Sequence, residues 1–343
     1  MTYLTAAVPL SETRTQRLRV GSGMAAAALA VLLTACGGGG GGDSGGASTP
    51  APVSNTPAGA VTGTAPTLAS TTGAPALTGD IATDGFNWFN FRRAQAGLPA
   101  LARNSLIDLA ALNHSRYQQV NGVISHDEVA GNPGFTGTNV LNRLTAAGYQ
   151  FNRSASLAYG EVIAGGSGLN GFGLAENLIT GIYHRFAVFE PVFKEAGAGN
   201  AVAPNGYAYL TSDLTANNGF GPGLGRGRVV VYPFASQTGV STWFPSNEEV
   251  PDPVPNQDVV GYPISVHADI TAKLVVNSFT VRPRGGSDLA VRLLTAATDT
   301  DTPTSAAAII PLAVLAAGTV YDVTFTGTAD GTTASRSWSF TTQ

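Results

Sequence analysis

The chain has 343 residues, a net charge of −4 and 12% charged residues, and its length predicts two domains rather than one. It lacks any run of Lys and Arg, so no nucleic-acid partner is expected, because phosphate binding needs clustered cations. Its single cysteine, Cys36, excludes an internal disulfide.

The N-terminus has the pattern of an export signal. An arginine-containing stretch precedes the apolar run 24–33, which is too short for a comfortable transmembrane helix. The phrase Leu33-Thr34-Ala35-Cys36 resembles the lipobox of bacterial lipoproteins, so residues 1–35 are predicted to be a signal peptide. Cys36 would then carry the lipid and hold the protein at a membrane. Gly rather than Asp at position 37 resembles the sorting signal that directs lipoproteins of Gram-negative cells to the outer membrane. The alternative to a lipoprotein signal is a plain secretory signal with an incidental cysteine.

Residues 36–83 predict a flexible tether. Six glycines follow Cys36, and the remainder consists largely of Gly, Ser, Thr, Ala and Pro. Such a composition cannot bury enough apolar surface to offset the entropy of ordering the chain. The tether would let the folded part work at a distance from the membrane.

The composition changes abruptly at Asp84. Aromatic residues at helical spacing follow it and predict a first helix capped by Asp84. Ser105 and Asp108 have the spacing of a capping box and predict a second helix to about Val120, with His114 on its apolar stripe. Further helices are predicted over 138–147 and 174–183, and strands over 157–163, 207–211 and 228–233.

The last third of the chain has a different pattern. Residues 246–257 are rich in Pro, Asn and acidic residues and predict a second linker. Residues 258–343 contain short runs in which apolar and polar residues alternate, with a turn signal at Ala329-Asp330-Gly331. They predict an all-β sandwich of immunoglobulin-like type.

Four short phrases concentrate the polar chemistry and contain three of the four histidines. They are Ala110-Ala111-Leu112-Asn113-His114, Ser125-His126, Tyr159-Gly160-Glu161 and Tyr183-His184-Arg185. In this order they resemble the bacterial branch of the CAP superfamily (cysteine-rich secretory protein, antigen 5, pathogenesis-related 1). The resemblance covers roughly residues 84–234 and implies an α-β-α sandwich over 84–245. The expected fold class is therefore α+β, a CAP domain followed by the all-β domain.

The resemblance also implies a cavity lined by two histidines and one or two acidic residues. Carried over by position, these are His114, Glu161 and His184, a set that suits a divalent metal such as zinc or proton transfer. The family phrase Gly-Glu-Asn is interrupted here by Val162, and Glu176 lies in a similar phrase downstream, so Glu176 stays an alternative to Glu161. For His126, a loop-closing role and a ligand role are both open.

Three functions are compatible with these features, and one of them is a purely structural role at the cell surface. The favoured one is an envelope-anchored binding module whose cavity holds a lipid or cell-wall ligand, because CAP domains as a class rarely show established catalysis. The alternative is a hydrolase in which His114, Glu161 and His184 hold a metal whose water attacks a peptide or glycan. No Gly-x-Ser-x-Gly, phosphate-binding loop or His-Glu-x-x-His motif is present. Whether the protein is an enzyme stays open at this stage, and the sequence does not predict an oligomeric state.

Overall fold

A computed structural model of the chain describes residues 3–7 and 72–343. The predicted lipidation site Cys36, the rest of the predicted signal peptide and most of the predicted tether lie outside the described residues. All described residues belong to one compact unit. No helix among them is long and apolar enough to cross a membrane.

The described residues form helices and several β-sheets, in agreement with the α+β class. The helices are α1 (Ile81–Gln95), α2 (Ser105–Asn121), α3 (Val140–Ala146), α4 (Gly171–Thr180), α5 (Ile182–Val188) and a 3-10 turn at Ser246–Glu248. The strands before residue 246 are β1 (Tyr3–Ala7), β2 (Ala102–Arg103), β3 (Leu157–Ser167), β4 (Glu195–Val202), β5 (Tyr207–Ala216), β6 (Val230–Tyr232) and β7 (Trp243–Pro245). Those after it are β8 (Val259–Gly261), β9 (Ile264–His267), β10 (Leu274–Pro283), β11 (Val291–Thr295), β12 (Ala306–Pro311), β13 (Val320–Ala329) and β14 (Thr332–Thr341).

The ends of the first two helices are fixed by polar side chains. Asp80, not Asp84, caps α1, because Asp80 lies in extended backbone just before the helix and accepts the N–H of Thr83 at 2.7 Å. Asp84 lies inside the first turn, is buried, and accepts the backbone N–H and hydroxyl of Thr78. Asn104 caps α2 by accepting the N–H of Leu106.

The first sheet lies between two layers of helices. Its strand order is β1-β3-β5-β4-β2. Adjacent residues of β5 face opposite ways: Leu210 packs against Gly85 of α1, whereas Thr211 accepts hydrogen bonds from Ser115 and Gln118 of α2. This is a three-layer α-β-α arrangement. Cleavage before Cys36, which stays a prediction, would remove β1 and leave β3 as the edge of the sheet.

The strand β4 was not predicted, and its glycines explain its position. A Cβ on Gly197 would lie 2.2 Å from the backbone nitrogen of Asp108, and one on Gly199 would lie 2.0 Å from that of Leu112. Helix α2 therefore approaches β4 more closely than any side chain on this face of the strand would allow.

The strands from β6 onwards form two further sheets and a strand pair. The strand orders are β10-β13-β14, β11-β12-β9-β6 and β7-β8. Strand β6 precedes the predicted linker, yet it pairs antiparallel with β9, which follows it. Buried residues of both larger sheets join the same hydrophobic cluster as the N-terminal helices. A second cluster packs Ile182, Tyr183 and Phe186 of α5 against residues of the C-terminal strands.

A buried carboxyl group connects the two halves. The Oε1 atom of Glu190 accepts the backbone N–H of Ile270 at 2.9 Å and that of Val192 at 3.2 Å. Burial raises the pKa of Glu190 to about 8, and Asp269 adds to the rise while Arg93 opposes it. Arg93 donates to the carbonyl oxygens of Val188 and Glu190.

Candidate functional site

His114 lies on α2 and is fully buried. Its Nδ1 is 2.8 Å from Oε1 of Glu128, and its Nε2 is 2.8 Å from the carbonyl oxygen of Ser125. Glu128 also accepts the backbone N–H groups of Thr136 and Gly137, as a carboxylate does. Both ring nitrogens of His114 are thus engaged in hydrogen bonds within the protein.

The pair formed by His114 and Glu128 closes the loop after α2. Although burial would raise it, the pKa of Glu128 is lowered by the hydrogen bonds from His114 and from the backbone of Thr136 and Gly137. Because both ring nitrogens of His114 are bonded and the ring is fully buried, neither nitrogen faces an open position for a ligand in this arrangement.

Glu161 lies on β3 and is the centre of a second buried group. Its Oε1 accepts from Nδ1 of His126 at 2.8 Å, and its Oε2 accepts from the guanidinium of Arg143 on α3. Arg143 also donates to the carbonyl oxygen of His126 at 2.8 Å. Burial alone would raise the pKa of Glu161, but Arg143 and the two histidines, His114 and His126, hold it well below its usual range.

Asp213 of β5 lies directly opposite Glu161 in the sheet. It is fully buried, and neither of its carboxyl oxygens receives a hydrogen bond from any described protein donor. Burial and the negative charge of Glu161 raise the pKa of Asp213 well above its ordinary value. A neutral Asp213 balances the buried charges, since Arg143 then compensates Glu161.

His184 lies in the first turn of α5 and has its own carboxylate. Its Nδ1 is 3.0 Å from Oε1 of Glu249, and Glu249 also accepts the backbone N–H groups of Ile182 and Tyr183, each at 2.7 Å. A carboxylate at this end of a helix satisfies N–H groups that lack partners within the helix. Glu249 belongs to the segment 246–257, which the composition predicts to be a linker.

His126 and His184 have the same arrangement. Their side chains are 10% and 13% exposed, whereas Glu161 and Glu249 are 0% and 2% exposed, so each ring reaches the surface from a buried carboxylate. Burial lowers the pKa of His126, its bond with Glu161 opposes this, and the nearby His184 adds a small lowering. With Nδ1 bound to a carboxylate, each ring is held in one orientation, as is common for histidines that bind ligands.

In the structure, His114, Glu161 and His184 do not hydrogen-bond to one another. Glu161 bonds to His126, His114 bonds to Glu128, and His184 bonds to Glu249, as described above. Within residues 3–7 and 72–343, no group of three or more His, Cys, Asp or Glu side chains is placed to hold a metal ion. These residues therefore do not fit a three-ligand zinc site as they stand.

Glu176, the alternative to Glu161, has a different environment. Its carboxylate accepts from Nε1 of Trp88 at 2.6 Å and from Nε of Arg92 at 3.0 Å. These contacts lie between α1 and α4 and involve none of the histidines. Glu249 and Arg143 were not predicted from the sequence. The only signal that could have identified them is a charged residue within an apolar stretch, for Arg143, or within a Pro-rich segment, for Glu249.

Comparisons with known proteins give a limited result. No known family model and no curated protein matches the chain. Among solved structures, an extracellular protein containing an SCP domain from Bacillus anthracis is 22% identical over 39% of this chain and 39% of its own, with a TM-score of 0.32. An outer surface protein from Borrelia burgdorferi is 14% identical over 38% of this chain and 89% of its own, also with a TM-score of 0.32. A cysteine-rich secretory protein from Staphylococcus aureus is 16% identical over 39% and 38%, with a TM-score of 0.28. The chain thus spans about two fifths of the length of the first and third.

Proposed function

We propose that the protein is an extracytoplasmic member of the CAP superfamily that binds a lipid or cell-envelope ligand at His126 and His184. The observation that carries the proposal is the pair of partly exposed imidazoles, each fixed through Nδ1 to a buried carboxylate. The two fixed rings lie near enough for His184 to act electrostatically on His126, and they offer oriented polar contacts to a ligand without further ordering, which favours binding. Glu161 and His184 are retained from the set implied by the family resemblance, and His126 takes the place of His114.

The order of the sequence phrases and the three-layer arrangement of the N-terminal half support the family assignment. For the C-terminal half we propose an immunoglobulin-like sandwich, supported by its three-stranded and four-stranded sheets with a joint apolar core. Its role would be that of a spacer or a second contact.

We also propose that Cys36 is lipidated and anchors the protein in the cell envelope, at the outer membrane if the cell is Gram-negative. The lipobox-like sequence and the glycine-rich tether support this. Cys36→Ala should move the protein from the membrane fraction to the soluble fraction and abolish incorporation of labelled fatty acid. Unchanged membrane fractionation of that variant would contradict the anchor.

The binding test uses the full-length protein and two probes, muramyl dipeptide and vesicles of phosphatidylethanolamine with phosphatidylglycerol. His126→Ala and His184→Ala should each weaken binding of the probe that the wild-type protein retains. Arg284→Ala is the matched control, because Arg284 forms an exposed ion pair with Asp322 on the C-terminal sheet. Binding that is equal in the histidine variants and the control would refute the site.

The same proteins test the hydrolase alternative. The zinc expectation stays a prediction, and zinc titration of the wild-type protein and of a His126→Ala/His184→Ala double variant examines it directly. Zinc-dependent cleavage of a peptide or glycan that is lost in the double variant would replace the binding module with the hydrolase. His114→Ala should be compared only after its stability has been measured, because His114 is part of a buried ion pair.

A further inference from the structure

A cavity lies in the C-terminal half, on residues that the proposed function does not use. Its volume is about 400 Å³, within the range of ~300–1,000 Å³ that is common for small-molecule sites. It is lined by Lys273, Leu274, Val275, Val276, Leu293, Thr295, Ala296, Ala297 and Thr304. These residues come from the start of β10, the end of β11 and the segments that follow β11.

The position of this cavity explains why it is open. Strands β10 and β11 are edge strands of two different sheets among the described residues. Leu274 and Val276 pack against the buried core on one side, so the floor of the cavity continues the apolar interior. Val275 is 44% exposed and Leu293 is 38% exposed, so two aliphatic side chains of its wall face solvent. Covering them would remove apolar surface from water, which favours an apolar occupant.

The polar groups of the cavity limit what that occupant can be. Lys273 is the one charged residue of the lining, and its ammonium forms no ion pair with a described residue. The backbone N–H groups of Lys273 and Leu274 are taken by Asp330 and by the carbonyl of Thr304. The hydroxyl of Thr295 is within 3.1 Å of that of Thr298. A peptide strand added at this end of β10 would find these backbone N–H groups already bonded, whereas an aliphatic chain needs no hydrogen-bond donor.

We propose that this cavity binds one linear aliphatic chain with an anionic head group, the chain lying between β10 and β11 and the head group beside Lys273. Free fatty acids and single-chain phospholipids share this chemistry. The site is distinct from that of His126 and His184, so its failure would leave the proposed function untouched.

Calorimetric titration of the full-length protein tests the proposal. Dodecanoate and a lysophosphatidylglycerol, each below its critical micelle concentration, distinguish the two sources. Decanoate should bind on the order of tenfold more weakly than dodecanoate, because two fewer methylenes are buried. Lys273→Glu should weaken dodecanoate binding by roughly fivefold or more, since an attraction becomes a repulsion, and should leave binding of dodecanol unchanged.

Leu293→Glu places a carboxylate in the wall and should weaken dodecanoate binding by at least about tenfold. Val314→Glu is the matched control, because Val314 is 50% exposed in the same half of the chain and does not line the cavity. Both positions are exposed, so both variants should fold, and circular dichroism checks this. Absence of saturable binding to the wild-type protein, or equal binding by the two variants, would overturn the proposal. So would binding that is lost in His126→Ala but kept in Leu293→Glu.

Discussion

Replacing His114 should cost stability rather than ligand binding. In His114→Ala, Glu128 stays fully buried without its histidine partner, and the carbonyl of Ser125 loses the ring nitrogen bonded to it. Removing one member of a buried ion pair typically destabilises a protein by about 3–5 kcal/mol. The N–H groups of Thr136 and Gly137 still bond to Glu128, so we expect a value near the lower end, about 3 kcal/mol.

Urea unfolding of the full-length protein, followed by circular dichroism, measures this loss. Domains of comparable size lose roughly 2–4 °C of melting temperature per kcal/mol, so thermal unfolding gives an independent value. The control is His126→Ala, which removes one bond to a charged group and should cost about 1.5–3 kcal/mol, because Glu161 keeps Arg143. A loss below about 1 kcal/mol in His114→Ala, together with lost ligand or zinc binding, would refute the assignment of His114 as a structural residue.

Three further changes test other parts of the structure. Gly199→Ala should destabilise the protein by about 1–3 kcal/mol, because its Cβ would lie 2.0 Å from the backbone nitrogen of Leu112; an unchanged urea midpoint would contradict this. Glu249→Gln should shift the imidazole proton resonances of His184, which loses its carboxylate partner at 3.0 Å, and a spectrum identical to that of the wild-type protein would contradict it. Glu190 has a folded-state pKa of about 8 against an ordinary 4.5, so between these values the folded state holds a proton that the unfolded state lacks. Stability should therefore fall as pH rises through this window, by up to about 5 kcal/mol, and Glu190→Gln should remove this fall. Equal pH dependence of unfolding in variant and wild type would show that Glu190 is not responsible.

The helices with clear apolar spacing were the most predictable part of the fold. Helix α2 was predicted to run from Ser105 to about Val120 and ends at Asn121. The helix predicted over 174–183 is broken at Gly181, and its second part, α5, turns towards the C-terminal strands. Strand β4 gave no signal, because its close approach to α2 requires glycine and alanine where an ordinary strand would alternate.

The site was less predictable, because its partners are distant in sequence. The apolar stripe of α2 correctly placed His114 on a buried face, but spacing cannot show that both of its nitrogens meet acceptors. The sequence left Glu161 and Glu176 as alternatives because both stand in phrases similar to the family's Gly-Glu-Asn. In the structure each is paired with an arginine that nothing nearby identifies. Glu249 could not be found, since Pro-rich acidic segments usually connect domains instead of contributing buried side chains.

The bond between His184 and Glu249 constrains the order in which parts of the protein can form during its synthesis. Sixty-five positions separate these two residues, and Val230 of β6 pairs with His267 of β9, 37 positions further along the chain. A chain emerging from the ribosome or crossing a membrane from its N-terminus would complete the layers around α2 well before His184 acquires its carboxylate. The proposed binding surface would therefore be completed only when the segment that carries Glu249 arrives, and a protein cut short before that segment would lack the partner of His184.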